Sequence, residues 1–476
     1  MAKIVIVGAG FSGHTAALYL SEWLRKDDGV TVISASDKFI YHPLLVDVAA
    51  GRIPADKISF HLSSIYEKRK INFIKGKVVS VLPDENKVEF ARENGTNEKI
   101  DYDFLLIATG NKPSFEATKG FETNGETFGT MISLNEIEKT RSVLDELIAR
   151  MKKGEKKKIV VGSGHPQSTY HNASIGFLAN LHFRLLKENV RDKAELVYLS
   201  NEKRLGDFGL RNPRIKRSGK IISSGDVIKK ILDEINVEAI TGKGVREISE
   251  NKVYWENIDG EFGETDFDFA VLTPKTKGQA LKFIDKNGKD ISYKLVNDDN
   301  YLLVDTFYGL TYKEVFENPD YLPSMYRNRN FKNIFAGGFA FALPSTISEP
   351  VLTKNGTNIT PAPMISSTVS ATIGRLIAKN ISQYVREERM THALRLSEML
   401  SLFTVQLGGG KFTGDALLSV IYPVFPDIRK YPKEDGRDLF VSEMEVGYAA
   451  YWMRKIIHGS YIYKYKNKPG WKIIPE

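Results

Sequence analysis

Lys3-Ile-Val-Ile-Val-Gly-Ala-Gly-Phe-Ser-Gly13 is the stretch that decides the fold. The first part reads as an apolar strand, the Gly-x-Gly-x-x-Gly spacing as a turn, and the apolar periodicity from Thr15 to Leu24 as a helix. Each glycine answers a geometric need. Gly8 permits the tight turn out of the strand, Gly10 lets the backbone approach a pyrophosphate, and Gly13 lets helix and strand close together. The helix amino terminus, with Phe11 and Ser12 in its first turn, then faces the phosphates with unpaired N–H groups. This is a dinucleotide-binding opening.

Downstream, Val30-Thr-Val-Ile-Ser34 arrives where the ribose-contacting residue of such a fold sits. It ends in Ser34 rather than in the Asp or Glu that grips both ribose hydroxyls, and Asp37 is the nearest acid. The aromatic stretch from Phe39 to Gly51, broken by Pro43, reads as a loop and a short helix. Short strands are expected over 71–75, 78–82 and 87–90, like an inserted β-layer. Tyr102-Asp-Phe-Leu-Leu-Ile-Ala-Thr-Gly110 then reads as a buried parallel strand ending in Ala108-Thr109-Gly110.

With 476 residues and 42% hydrophobic content, the chain can bury a large core in roughly two or three domains. Its net charge of +8 is spread along the chain, which argues against nucleic acid; clustered basic segments fit an anionic surface better. No apolar run reaches the ~18 residues of a membrane span, and a strand beginning at Lys3 leaves no room for a signal peptide. The expected location is therefore the cytoplasm or the inner face of the cell membrane. There is no cysteine, which excludes disulfides, iron–sulfur clusters and thiol relays within the chain. The eight histidines are scattered, and no metal site is expected.

The first glycine turn, the Ala-Thr-Gly strand and the late Asn333-Ile-Phe-Ala-Gly-Gly338 together resemble the two-dinucleotide-domain flavoprotein superfamily. The layout resembles sulfide:quinone oxidoreductase most, with type II NADH:quinone oxidoreductase as the close relative; the Tyr41-His42-Pro43-Leu44 loop and the tail length favour the former. The resemblance implies an α/β fold of two nested Rossmann-like domains plus a small C-terminal α+β segment that associates with a membrane or an interface. Residues 1–112 and 331–380 would form the FAD-binding domain, 113–330 the second dinucleotide-like domain, and 381–476 the tail. Noncovalent FAD is implied on Gly8, Gly10, Phe11, Ser12, Gly13, Ser34, Pro43, Ala108, Thr109, Gly110, Gly337, Gly338 and Pro363.

The second domain opens with Ser133-Leu-Asn-Glu136, a capping-box pattern heading a helix to about Lys153. Lys158-Ile-Val-Val-Gly-Ser-Gly164 is a second strand and glycine turn, the place where the relatives bind NADH. Its continuation, His165-Pro-Gln-Ser-Thr-Tyr-His171, lacks the third glycine, which argues against NADH. Pro166 reads as a first-turn helix residue. The sulfide-oxidising relatives carry a redox cysteine in this region; here the candidates are His165, Tyr170 and His171, which could equally cap or line a domain junction. Arg211 to Lys220 reads as a basic loop.

In the late motif Phe339 stands where most relatives have an aspartate, a loss worth roughly 1.5–3 kcal/mol of charge-assisted hydrogen bonding. A long helix is expected from Thr360, as N-cap, to Asn380. The tail reads as a helix over 390–399, a hairpin of 402–407 with 412–418 across Gly408-Gly-Gly410, and a helix over 440–457 with an apolar stripe of Val446, Ala449, Ala450, Met453 and Ile457. Aromatic and basic residues interleave after Tyr448, which suits an interfacial anchor or, equally, packing on the hairpin or a second subunit.

The expectation is an FAD-dependent oxidoreductase passing two electrons from an unidentified donor to a membrane quinone without cysteine chemistry. The alternatives are a non-catalytic flavoprotein-like subunit of a larger complex and an NADH:quinone oxidoreductase. A homo-oligomer is compatible with either.

Overall fold

Lys3–Val7 lies inside a largely parallel sheet in the computed structural model, which describes residues 1–121, 128–129, 133–217, 219–363, 365–408, 416–421 and 423–476. Ile4, Val5, Ile6 and Val7 are all buried, as a strand covered on both faces requires. The strand order is 334–336, 104–107, 3–7, 29–34, 72–82, 87–92, 97–101. Pairing is parallel from 334–336 to 72–82, after which the last strands form an antiparallel meander. The short strands expected at 71–75 and 78–82 are one strand, Asn72–Leu82, whose register shifts between Val78 and Ser80. A bulge hides such continuity from period-2 reading.

A second parallel sheet has the order 128–129, 269–273, 157–163, 194–199, 237–240. Helices Leu134–Lys152, His171–Lys187 and Ser224–Glu234 accompany it. Ser133 caps the first of these, accepting from the Glu136 N–H. The two sheets are joined by the antiparallel pair Asn111–Ser114 and Lys275–Gly278.

Four local expectations change. Pro166 does not open a helix: the chain stays irregular until His171. Arg214–Arg217 and Lys220–Ser223 form a hairpin, not a loop, and join a sheet with Glu443–Val446, Ala416–Ile421 and Ser401–Gln406. The long helix is Ser367–Glu387, capped by Ser366, while Thr360 closes an upstream turn by bonding the Val351 N–H and the Asn358 side chain. Pro361 and Pro363 resist helix in the residues before them, so the start moves downstream. Residues 390–399 are irregular apart from the short turn Leu396–Glu398, because the preceding helix runs on to Glu387.

In the tail, 440–457 is not a continuous helix. Glu443–Val446 is a strand, and Gly447, at φ +109°, separates it from the helix Tyr448–Tyr465. The expected stripe fails with it: Ala450 is buried, but Ala449 and Met453 are exposed. Gly409, Gly410 and Phe412 of the hairpin lie outside the described residues. Among the described residues no helix is long and apolar enough to cross a membrane.

Candidate functional site

The glycine turn is built by close approaches. A Cβ on Gly8 would lie 2.4 Å from the Ala108 carbonyl oxygen, and one on Gly13 would lie 2.0 Å from that of Gly8. Gly10, by contrast, has nothing within 4 Å of its Cβ position. It is the N-cap of helix Phe11–Trp23, and no side chain caps that end. The late glycines come to the same place: a Cβ on Gly337 would meet Ser12 Oγ at 2.2 Å, and one on Gly338 would touch Ser12 and Ser370. The buried hydroxyls of Ser12, Thr15 and Ser370 have no hydrogen-bond partner. Two helix amino termini, two glycine turns and unpartnered hydroxyls therefore converge on one open cradle, which can receive a pyrophosphate. Thr109 and Gly110 follow the Phe104–Ile107 strand at its edge, and Gly110 (φ +69°) also faces open space.

At the ribose position Ser34 ends its strand, and its hydroxyl accepts weakly from the Ser36 N–H (3.4 Å). Asp37 is engaged elsewhere, accepting from the N–H groups of Leu62 (3.0 Å) and Ser63 (2.7 Å) at the start of helix Ser63–Lys68. Those bonds hold its carboxyl below the usual range against the opposing effect of desolvation. Pro43 sits in the turn His42–Leu44, beside Phe11, whose ring packs edge-on to Phe39 and Tyr41.

The second glycine turn is not a cradle. A Cβ on Gly164 would lie 2.4 Å from the Phe121 ring, so an aromatic side chain already covers it. Asn201 fills the crevice beyond the second sheet: its Oδ1 accepts from Ser163 (2.9 Å) and His171 (2.6 Å), and its Nδ2 donates to the Pro166 (2.9 Å) and Ser168 (3.2 Å) carbonyls. Glu202, the acid nearest a ribose position, is buried and accepts from Tyr198, Ser200 and the Phe208 N–H, each at 2.8 Å. Thr360 and Ala362 pair with the Pro166 and Ser168 carbonyls and close the crevice from above.

Between the sheets lies a polar cluster that brings together two of the three catalytic candidates. Asn111 Nδ2 donates to the Tyr170 hydroxyl (3.3 Å), and the Tyr301 hydroxyl pairs with Thr276 Oγ1 at 3.1 Å. Tyr170 holds a left-handed conformation, φ 68°, uncommon for a bulky residue, and its ring faces Phe339 at 6.5 Å. Burial pushes Tyr301 up to about 12. His165 is pushed down to about 4, first by burial and then by the positive charge of Lys275, which is paired with Asp299 at 2.8 Å. Its Nδ1 accepts from the Gln167 N–H (2.9 Å), so the neutral ring carries its proton on Nε2. His171 instead points into the filled crevice. The sequence reading missed Asn111, Thr276, Lys275, Asp299 and Tyr301; only Asn111, directly after the Ala-Thr-Gly strand, could have been inferred from position.

The tail helix is inverted in polarity. Facing inward, Arg454 pairs with Asp47 (2.6 and 3.2 Å), His458 bonds Tyr41, and Lys464 pairs with Glu476 (2.7 Å). Facing outward are Tyr448, Trp452, Met453, Ile456 and Tyr463, with Ile456 68% exposed and Phe440 nearby in sequence 89% exposed.

Residues 2–165 match the family model described as pyridine nucleotide-disulphide oxidoreductase. The chain is 26% identical over 471 residues to the sulfide-quinone reductase of Aquifex aeolicus, covering 98% of this chain and 94% of that protein. It is 25% identical over 281 residues to an external alternative NAD(P)H-ubiquinone oxidoreductase B3 of Arabidopsis thaliana, covering 53% of this chain and 46% of that one. Among solved structures, the Aquifex aeolicus sulfide:quinone oxidoreductase superposes with a TM-score of 0.77 at 24% identity, over 98% of this chain and 92% of that one. NDH2 from Plasmodium falciparum gives 0.64 at 12% identity, over 96% and 94%. In fold and over nearly its whole length in sequence, this cysteine-free chain is similar to the sulfide-quinone reductase of Aquifex aeolicus.

Proposed function

We propose that this chain is a flavin-dependent oxidoreductase that holds FAD noncovalently and passes an electron pair to a quinone. The observation that carries the reading is the cradle at Gly10, where the Ser12 and Ser370 hydroxyls are buried without partners between two helix amino termini. Gly8, Gly10, Phe11, Ser12 and Gly13 would hold the pyrophosphate, Ser34 the ribose, and Gly110, Gly337, Gly338 and Pro363 the remainder of the cofactor. FAD bound there supplies two-electron redox chemistry. Residues 1–112 and 331–380 form the flavin unit on this reading, 113–330 the second unit, and 381–476 the tail.

NADH is an unsuitable donor, because Asn201, Glu202 and Phe121 occupy the crevice it would need. Sulfur-relay chemistry is unsuitable because the chain has no thiol to hold or extend sulfur. The donor site is the cluster of His165, Tyr170, Asn111, Tyr301 and Lys275, where a neutral imidazole N–H and two tyrosine hydroxyls can orient a small polar donor by hydrogen bonds. The quinone site lies between the Pro43 loop and the tail, where Val46 and Val405 both approach Gly176. The outward aromatic face of the tail helix, with Lys455 beside Trp452, suits the surface of an anionic bilayer and supports a peripheral position on it.

The test is the visible spectrum of protein purified from flavin-replete cells, followed by anaerobic addition of NADH or of sulfide. A flavin spectrum that a soluble quinone can restore after photoreduction, and that neither NADH nor sulfide bleaches quickly, is expected. Colourless protein overturns the reading in favour of a non-catalytic subunit.

A further inference from the structure

Three side chains from three separate elements meet in the wall between the Pro43 loop and the tail. The Tyr41 hydroxyl lies 3.0 Å from His458 Nδ1, and His458 Nε2 lies 2.7 Å from Thr404 Oγ1. Tyr41 and His458 are 2% and 6% exposed, whereas Thr404, on strand Ser401–Gln406, is only half-buried. The line of hydrogen bonds therefore runs from a partly accessible hydroxyl through a buried imidazole to a phenol next to His42 and Pro43. Apolar side chains would fill this contact with no desolvation cost, as Leu402, Tyr451 and Ile457 do beside it. A histidine with both ring nitrogens paired to hydroxyls is the arrangement that can take a proton on one side and release one on the other.

Resting on the quinone reading above, we infer that Thr404, His458 and Tyr41 form a proton relay serving the quinone site. Reduction of a quinone to its quinol takes two electrons and one proton, which the reduced cofactor would supply on that reading, and one further proton, which the relay delivers. In each pass the Tyr41 O–H bond breaks as its proton leaves for the quinone oxygen. The His458 Nδ1 proton moves to the Tyr41 oxygen, and His458 Nε2 takes the Thr404 hydroxyl proton, which solvent replaces. Once the quinol leaves, Nδ1 regains a proton through Tyr41 from water entering the vacated site, and Nε2 returns its proton to solvent through Thr404, which restores the starting tautomer.

The surroundings keep this histidine neutral. Arg454, one turn away on the same helix, is paired with Asp47 across the interface, and Arg52, Tyr451, Tyr461 and Tyr465 are further titratable groups around this junction. Burial first, and the Arg454 charge second, hold His458 well below its ordinary value. A neutral ring at neutral pH is the state that can both accept and donate.

The experiment uses the full-length, flavin-loaded protein with His458→Asn and, as a conservative change of shape, Thr404→Val. Flavin content and visible spectrum are compared first, then reoxidation of the photoreduced protein by a short-chain soluble quinone and by ferricyanide, which needs no proton. Reoxidation by quinone is expected to slow at least about tenfold in both variants and to lose its solvent deuterium isotope effect, with the ferricyanide rate unchanged. Nitrogen NMR of labelled histidine should show the His458 tautomer population shift in Thr404→Val. Equal rates with quinone in wild type and Thr404→Val, or equal slowing with ferricyanide, overturn the relay. If quinone fails to reoxidise even the wild type, the quinone reading itself falls.

Discussion

His14 Nε2 lies 2.8 Å from the carbonyl oxygen of Tyr465, so the helix that follows the glycine turn is bonded directly to the end of the tail helix. The other ring nitrogen pairs with the Tyr66 hydroxyl at 3.0 Å. Around this link Phe39 stacks on Tyr465, and Glu476 reaches Tyr19 (3.2 Å) and Arg375 (3.3 Å). The inward side of the tail is thus part of the packing around the cradle.

Protonation of His14 should weaken the fold. Burial pushes its pKa from 6.5 to about 4, against the smaller raising effect of the Tyr465 carbonyl. The unfolded chain binds this proton more readily than the folded one, so the contribution is complete above the unfolded value and lost as pH falls toward 4. Its size is on the order of 3 kcal/mol. Urea unfolding between those pH values should show stability falling with acidity, and His14→Gln should flatten that slope.

Gly10→Val should abolish flavin loading while leaving the protein folded, since its Cβ enters open space rather than protein. Gly13→Val should instead destabilise the fold, because its Cβ collides with the Gly8 carbonyl. Flavin released by acid and the melting temperature, measured together, distinguish the two. Normal flavin content in Gly10→Val would place the cofactor elsewhere.

Asp47→Asn should cost about 3–5 kcal/mol, because it leaves the buried Arg454 guanidinium without its charge partner. Replacing both residues, Asp47→Leu with Arg454→Met, should cost less than the single change. A double-mutant cycle by chemical denaturation checks this; a single change costing under about 1 kcal/mol would mean the pair is solvated.

Trp452→Ser with Ile456→Ser should reduce sedimentation with anionic liposomes without lowering the melting temperature, as both side chains are exposed. Wild-type binding should weaken as salt rises. If the wild type does not sediment even at low salt, light scattering should then reveal an oligomer that the double variant breaks.

The strand–glycine turn–helix unit was legible because its constraints are local. Gly8, Gly10 and Gly13 fall within one turn, and strand, turn and helix follow each other directly, so spacing alone names the geometry. The later Gly337-Gly338 was recognisable for the same reason. Misreadings arose where backbone choice depends on distant partners: the hairpin 214–223 is joined to a larger sheet through Lys216 pairing with Glu443. Periodicity could not separate that strand from the helix after Gly447, since both carry mixed apolar and charged residues.

By itself the sequence determined the α/β Rossmann-like plan, the first glycine turn between strand and helix and the absence of thiols, each following from residue type and short-range spacing. Only the tertiary structure decided that Asn201 closes the second crevice and that His165, Tyr170 and Tyr301 lie in one polar cluster. It also decided that Arg454 and Lys464 of the tail point inward. Burying Arg454 or Lys464 is favourable only when Asp47 or Glu476 stands opposite, and sequence cannot supply that pairing across hundreds of residues, or across one turn of the tail, until the chain has folded.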